Sequence, residues 1–100
     1  MRDNGKWHNE MRILALQDPE VRAAYEEFKL EFEIAEQCKL MRQKMNISQE
    51  YVAKKMHSSK SAISRLESAK GSKHSPSIST LKKYAEAIGC HLEVKIVPNC

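Results

Sequence analysis

The chain has 100 residues, a length that suits one domain with a modest hydrophobic core. Hydrophobic residues make up 41% of the sequence and the net charge is +4, so we expect a folded protein rather than a disordered one. No apolar run approaches the roughly 20 residues that a membrane-spanning helix needs. The first residues also lack the apolar stretch of a signal peptide. We therefore expect a cytoplasmic protein that does not associate with membranes.

The charge is distributed unevenly along the chain. Residues 18–36 carry a net charge of −5, whereas residues 37–100 carry a net charge of +8. A basic module of this size suggests a polyanion as its partner. The same polyanion would repel the acidic segment. The acidic segment is therefore either a solvated helix face or a surface that meets a basic partner.

The cysteines and histidines give no sign of a metal site or of catalysis. The wide spacing of Cys38, Cys90 and Cys100 fits neither a disulfide framework nor a metal-binding pair. We expect free thiols, with Cys38 and Cys90 filling core space. The four histidines are scattered, and neither paired carboxylates nor a phosphate-binding glycine loop is present. We expect no catalytic residue, no cofactor and no metal, and the protein is not expected to be an enzyme.

A long amphipathic helix is predicted to begin at Asp18 and Pro19, residue types that suit a helix cap and a first helical position. Apolar residues then recur at steps of three and four residues. A first stripe contains Val21, Ala24, Tyr25, Phe28, Phe32 and Ala35. A second stripe contains Leu30, Ile34, Cys38, Met41 and Met45. The pattern does not decide between one continuous helix and a break near residue 30.

Two short helices are predicted to follow. Asn46 can adopt the left-handed conformation that ends a helix, and Ser48 can cap a helix over residues 49–56. His57 then forms the turn, and Ser58 or Ser59 caps a helix over residues 60–68. On this second helix, Ile63 and Leu66 point inward. Its outward side chains are Lys60, Ser61, Ser64 and Arg65.

The C-terminal part is predicted to contain one more helix and a strand. Ser75 and Pro76 open the helix, and Gly89 ends it. The residues that follow alternate between apolar and other side chains up to Pro98, which is the periodicity of a strand. A lone strand leaves its backbone groups unpaired, so it needs a second copy across a twofold axis. The alternative is a tail packed as irregular coil on its own domain. The predicted dimerisation residues are Leu92, Val94 and Ile96.

The pair of short helices suits the major groove of double-stranded DNA, which admits one helix. Arg65 can grip guanine through two hydrogen bonds, and Gln49 can donate to a backbone phosphate. The major groove of duplex RNA is too deep and narrow for the same layout, so we do not favour RNA binding.

A close resemblance to the Cro/repressor-like (XRE) helix-turn-helix family is carried by the segment SQEYVAKKMHSSKSAISRLES and by the later SPSISTLKKYAEAIG. The resemblance covers about residues 34–89. It implies an all-α fold, a five-helix lambda-repressor-like domain, and a charge pair between Arg42 and Glu67. Asn46, His57 and Ala69 stand where the family usually carries glycine, and alanine is the least suited to that backbone. The resemblance implies that Gln49 contacts either a phosphate or a base. The predicted DNA-contacting residues are Gln49, Ser59, Lys60, Ser61, Ser64, Arg65 and Lys70.

The order of segments along the whole chain resembles a HigA-type antitoxin. Such antitoxins bind a HigB-type toxin of the RelE-like ribonuclease class and repress their own operon. The resemblance implies an N-terminal acidic helical extension over 1–33, the DNA-binding domain over 34–89, and a C-terminal strand and tail over 90–100. The residues predicted to bind the toxin are Tyr25, Glu27, Phe28 and Glu31.

Two interpretations of the acidic helix remain open. In the first, its aromatic residues contact a basic toxin, whose charge complements the helix. In the second, Tyr25, Phe28 and Phe32 pack on the protein's own core. The protein is then a stand-alone dimeric repressor with no toxin partner.

Overall fold

The computed structural model describes residues 18–69 and 72–99. Within these ranges the protein is all-helical. The five helices are α1 (Pro19–Glu27), α2 (Lys29–Lys44), α3 (Gln49–Lys55), α4 (Lys60–Glu67) and α5 (Ile78–Ala87). Helices α2 to α5 fall mainly within the domain predicted over 34–89, and α1 lies within the N-terminal extension predicted over 1–33. None of the described helices combines the length and the apolar character that a membrane span requires.

The N-terminal helical region is broken into two helices at Phe28. Asp18 caps α1 as predicted, because its side chain accepts a hydrogen bond of 2.9 Å from the backbone N–H of Glu20. Phe28 leaves the helical conformation, with φ −113° and ψ 29°. Across this break the rings of Tyr25 and Phe32 stack, with centroids 6.0 Å apart and planes inclined by 8°. Of the two arrangements that the pattern left open, the broken helix is the one observed.

Two non-glycine residues adopt the left-handed conformation that ends helices, as predicted. Asn46 follows α2 with φ 59°, and His57 follows α3 with φ 54°. Ala69, by contrast, does not have a positive φ, and its side chain is buried. The chain after α4 therefore takes a course of its own, in which Ala69 contributes to packing rather than to a left-handed turn.

The last helix begins later than predicted. Ser77, rather than Ser75, caps α5 by accepting a hydrogen bond of 3.1 Å from the backbone N–H of Thr80. Helix α5 therefore starts at Ile78, two residues beyond Pro76. At its other end Gly89 has φ 80°, a conformation that glycine adopts without steric cost.

The hydrophobic core lies between α2, α3, α4 and α5. Its buried members are Ile34, Ala35, Cys38, Val52, Ala53, Ile63, Leu81, Tyr84 and Ile88. Both described cysteines are free thiols, and Cys90 packs against this cluster. Burial, followed by the proximity of Cys90 and Glu67, raises the pKa of the Cys38 thiol to about 11. Cys38 is thus a protonated, apolar core residue at neutral pH.

The predicted C-terminal strand is not formed in the single chain. Residues 91–99 have no regular secondary structure. Leu92 is half-buried against the core, whereas Val94 is 50% exposed and Ile96 is fully exposed. The physical reason is that a strand needs a neighbour for its backbone hydrogen bonds, and the described residues contain no second strand.

Candidate nucleic-acid interface

The centre of the interface is the unit formed by α3, a tight turn and α4. Ser48 caps α3 by accepting a hydrogen bond of 3.0 Å from the backbone N–H of Tyr51. The turn at His57 is closed by a hydrogen bond of 2.8 Å from the N–H of Ser58 to the carbonyl of Ala53. Of the two candidate serines, Ser59 caps α4, since its hydroxyl accepts from the N–H of Ala62 at 3.1 Å.

Helix α4 has one exposed polar side and one buried side. Ile63 is 1% exposed and Glu67 is 6% exposed, so both are held inside the domain. Four residues on the opposite side, at positions i, i+1, i+4 and i+5, are all exposed: Lys60, Ser61, Ser64 and Arg65. A helix places such positions on one face. This exposed side of α4 therefore carries two cations and two hydroxyls and contains no acidic residue.

The predicted DNA-contacting residues fall into three groups. Ser59 and the four exposed residues of α4 lie together at the start and along one side of that helix. Gln49 opens α3 and is half-buried, with its side-chain amide turned toward Glu67. Lys70 lies outside the described residues. Close to the turn, Lys54 and Lys55 are exposed at the end of α3, and the Lys55 ammonium lies 5.5 Å from the centre of the Tyr51 ring.

A buried ion pair fixes α4 to α2. Arg42 donates to Glu67 through two nitrogens, from Nε to Oε2 at 2.7 Å and from Nη2 to Oε1 at 3.0 Å. The same guanidinium donates from Nη1 to the carbonyl of Ile47 at 2.7 Å, in the segment between α2 and α3. The pair that the family resemblance implied is therefore confirmed, and it also secures the entry into α3.

Two further donors complete the surroundings of the Glu67 carboxylate. Gln49 Nε2 donates to Oε1 at 2.9 Å, and the Tyr84 hydroxyl donates to Oε2. Tyr84 in turn accepts from Arg42 Nε at 3.1 Å. Residues from α2, α3 and α5 thus all converge on one carboxylate of α4. We call Arg42, Gln49, Glu67 and Tyr84 the Glu67 network.

The ionisation of this network is set by its hydrogen bonds. Burial opposes the charge of Glu67, but the hydrogen bonds from Arg42, Tyr84 and Gln49, together with the Arg42 charge, hold the pKa of Glu67 below its usual range. The hydrogen bond to Glu67 raises the pKa of Arg42. Burial, and then the bond to Glu67, raise the pKa of Tyr84. At neutral pH the network therefore holds one anion, one cation and a neutral phenol.

Neither Tyr84 nor Gln49 was predicted to contact Glu67, and Gln49 was predicted only as a DNA contact. One available signal was that a buried tyrosine hydroxyl requires a hydrogen-bond partner. The other was that a buried carboxylate accepts more hydrogen bonds than one arginine supplies.

The residues predicted to bind a toxin lie around the break between α1 and α2. Glu27 is exposed, and Tyr25, Phe28 and Glu31 are half-buried. Phe28 and Glu31 line a groove of about 430 Å³ together with residues 73–78. At this groove the ammonium of Lys73 lies 2.7 Å from a carboxylate oxygen of Glu20 on α1. The groove is thus bounded by the acidic helices on one side and by the chain leading into α5 on the other.

Comparison with known proteins identifies a family but no individual relative. No curated protein and no solved structure matches the sequence. A family model described as helix-turn-helix matches residues 39–95, which include α3, α4 and α5 and the whole of the Glu67 network. Because this match spans more than half of the sequence, the chain belongs to the helix-turn-helix family, as an XRE-type regulator that binds specific DNA sequences.

Proposed function

We propose that the protein is the antitoxin of a type II toxin–antitoxin system. In this role α4 binds the operator of its own operon and represses it. The acidic α1 and the start of α2 bind and neutralise a basic ribonuclease toxin of the HigB/RelE-like class. The observation that carries the proposal is the separation of charge between the acidic helices and the basic side of α4.

The acidic surface has the chemistry of a protein-binding site. Its carboxylates are spread over α1 and the first half of α2, and among the described residues only two of them form ion pairs, Glu26 with Arg22 and Glu20 with Lys73. The exposed or half-buried acids are Glu20, Glu26, Glu27, Glu31, Glu33 and Glu36. An RNA-cleaving toxin needs a basic surface for its substrate, and complementary charges raise the rate of encounter. The groove beside Phe28 and Glu31 offers apolar contact next to this charge.

A stand-alone repressor is the second candidate, and one observation favours it. Val21 and Ala24 of α1 are buried, and Tyr25 stacks on the buried ring of Phe32. Helix α1 therefore already has a packing role within its own chain. In this alternative the acidic residues form only a solvated face of α1 and α2, and the protein binds no toxin.

Reversing charge at the acidic surface should separate the two candidates. The chain is co-expressed with the tagged protein encoded beside it and tested for co-elution through high salt. We expect co-elution, and we expect Glu27→Lys combined with Glu31→Lys to weaken the complex roughly tenfold or more, because two attractive charge pairs become repulsive. Binding to operator DNA should not weaken in this variant.

Glu86→Lys is the matched control, since Glu86 is an exposed acid that belongs to α5 rather than to α1 or α2. It makes the same change of charge as Glu27→Lys alone, with which it is compared, and should leave the complex intact. If the wild-type chain does not co-elute with its neighbour, the antitoxin proposal is wrong and the stand-alone repressor is favoured. Equal weakening by the control would show that net charge matters rather than the acidic surface.

The second copy that the operator-bound form requires is proposed to pair through residues 92–96. Val94 and Ile96 expose apolar side chains in the single chain, which pairing with a second copy would cover. We expect Val94→Asp to convert the dimer into a monomer in sedimentation experiments. A carboxylate at this position would lose its hydration on association without gaining a partner.

Lys95→Asp is the control for this variant, because it places the same carboxylate on the opposite side of the proposed strand. It should remain dimeric. An intact Val94→Asp dimer would exclude this segment as the contact.

A dimeric protein should also protect two half-sites about one helical turn of DNA apart.

A further inference from the structure

The Glu67 carboxylate is saturated with hydrogen-bond donors. Each oxygen accepts two hydrogen bonds, Oε1 from Arg42 Nη2 and Gln49 Nε2, and Oε2 from Arg42 Nε and the Tyr84 hydroxyl. A carboxylate offers about four such sites. Its side chain is only 3% exposed, so water does not compete for them. Removing any one of these donors therefore leaves a buried carboxylate lone pair without a hydrogen bond.

This arrangement determines which way the Gln49 amide faces. An ionised carboxylate can only accept hydrogen bonds, so the amide nitrogen of Gln49 must face Glu67 and its carbonyl oxygen must face away. Gln49 is the first residue of α3 and its backbone adjoins the cap of that helix. The half-buried side chain therefore presents a defined acceptor, and its remaining N–H, on the side that faces away from the carboxylate.

We propose that Tyr84 is a positioning residue for the recognition of DNA sequence, acting through Glu67 to hold the Gln49 side chain in the orientation in which it meets a base edge. The Tyr84 hydroxyl accepts from Arg42 Nε at 3.1 Å and donates to Glu67 Oε2, so it restrains the carboxylate whose other oxygen, Oε1, accepts from Gln49. Tyr84 itself is fully buried on α5 and does not reach the surface. The inference rests on DNA binding, which the family supplies, and is independent of the antitoxin proposal.

A double-mutant cycle tests this inference. The variants are Tyr84→Phe, Gln49→Ala and the two combined, and the readout is the ratio of affinities for a selected DNA duplex and a random one. The selected duplex is obtained by binding of the wild-type protein to a random pool. We expect Tyr84→Phe to lower this ratio roughly 2- to 10-fold, the effect of losing one hydrogen bond. In the Gln49→Ala background the same substitution should have no further effect.

A merely structural role of Tyr84 would give a different result. Thermal unfolding would then shift, but the affinity ratio would stay unchanged, or it would fall by the same factor with and without Gln49. Either outcome overturns the proposal. Tyr25→Phe is the matched control, because it removes a hydroxyl from a tyrosine of α1 outside the Glu67 network and should leave the ratio unaltered.

The wild-type protein offers a second measurement if Tyr84→Phe fails to fold. The side-chain amide protons of Gln49 can be identified by NMR as the pair that disappears in Gln49→Ala. We expect one sharp pair, with the proton facing Glu67 protected from exchange with water. Two exchanging orientations, or protons that exchange as fast as those of an exposed glutamine, would contradict a fixed amide.

Discussion

Replacing Glu67 with alanine is expected to lower the free energy of unfolding by about 3–5 kcal/mol, as is typical when one partner of a buried ion pair is removed. The variant leaves the Arg42 guanidinium buried with its two carboxylate contacts gone, and it leaves the Tyr84 hydroxyl without its acceptor. Domains of this size are commonly stable by only about 5–15 kcal/mol. The loss should therefore lower the midpoint of thermal unfolding by at least about 10 °C.

Chemical denaturation followed by circular dichroism measures this loss directly. Glu86→Ala is the control, because it removes an exposed acid from α5, and a surface change of this kind stays within about 0.5 kcal/mol. A loss below about 1 kcal/mol for Glu67→Ala would mean that the network adds little to stability and that the core alone holds α4 in place.

The pH dependence of the same comparison follows from the direction of the pKa shift. Since the pKa of Glu67 is lower in the folded protein, its contribution is complete above the pKa of the unfolded chain, about 4.3. It is lost as the pH falls below that value and through the lower folded pKa. The difference between wild type and Glu67→Ala should therefore be constant from pH 5 to pH 8 and shrink in stronger acid.

Arg65→Ala is expected to weaken binding to the specific DNA sequence by about 1–3 kcal/mol, roughly 5- to 150-fold, while binding to random DNA changes much less. Arg65 is exposed on the outward side of α4, where a bidentate contact with a base edge is possible. Losing such a contact relaxes the preference at one base position. Fluorescence anisotropy on duplexes altered at single positions measures both the loss and the position.

Lys54 provides the contrast, because it lies at the end of α3 and not on α4, whose exposed side carries Arg65. Lys54→Ala should weaken specific and random binding alike and reduce the slope of affinity against salt by about 1. Lys29→Ala, which removes an exposed cation from the start of α2, should change neither quantity. An equal loss on both DNAs for Arg65→Ala would show that Arg65 contacts only phosphate.

The parts of the fold that depend on neighbouring residues along the chain were predictable. The caps at Asp18 and Ser48 and the left-handed residues Asn46 and His57 all act within a few residues of their own position. The start of α5 was missed by two residues, because Ser75 and Ser77 both offer a capping hydroxyl. Local sequence patterns do not show which of two nearby serines caps the helix.

The parts that depend on distant contacts were not predictable in the same way. The break at Phe28 coincides with stacking of Tyr25 on Phe32, and no glycine or proline marks it in the sequence. The hydroxyl of Tyr84 meets a carboxylate 17 positions earlier in the chain. The residues around residue 94 alternate as a strand does, but a strand also needs a neighbour, and a pattern within one chain does not reveal whether a second copy supplies it.

The division of α4 into a buried and an exposed side has a consequence for how such a protein can change over time. The positions that hold the helix in place are Ile63, Leu66 and Glu67, and those that can meet a base are Lys60, Ser61, Ser64 and Arg65. The two sets share no residue. New target sequences are therefore accessible by exchanging four surface side chains on an unchanged scaffold, so that duplicated copies of this gene could diverge to separate operators without passing through unfolded intermediates.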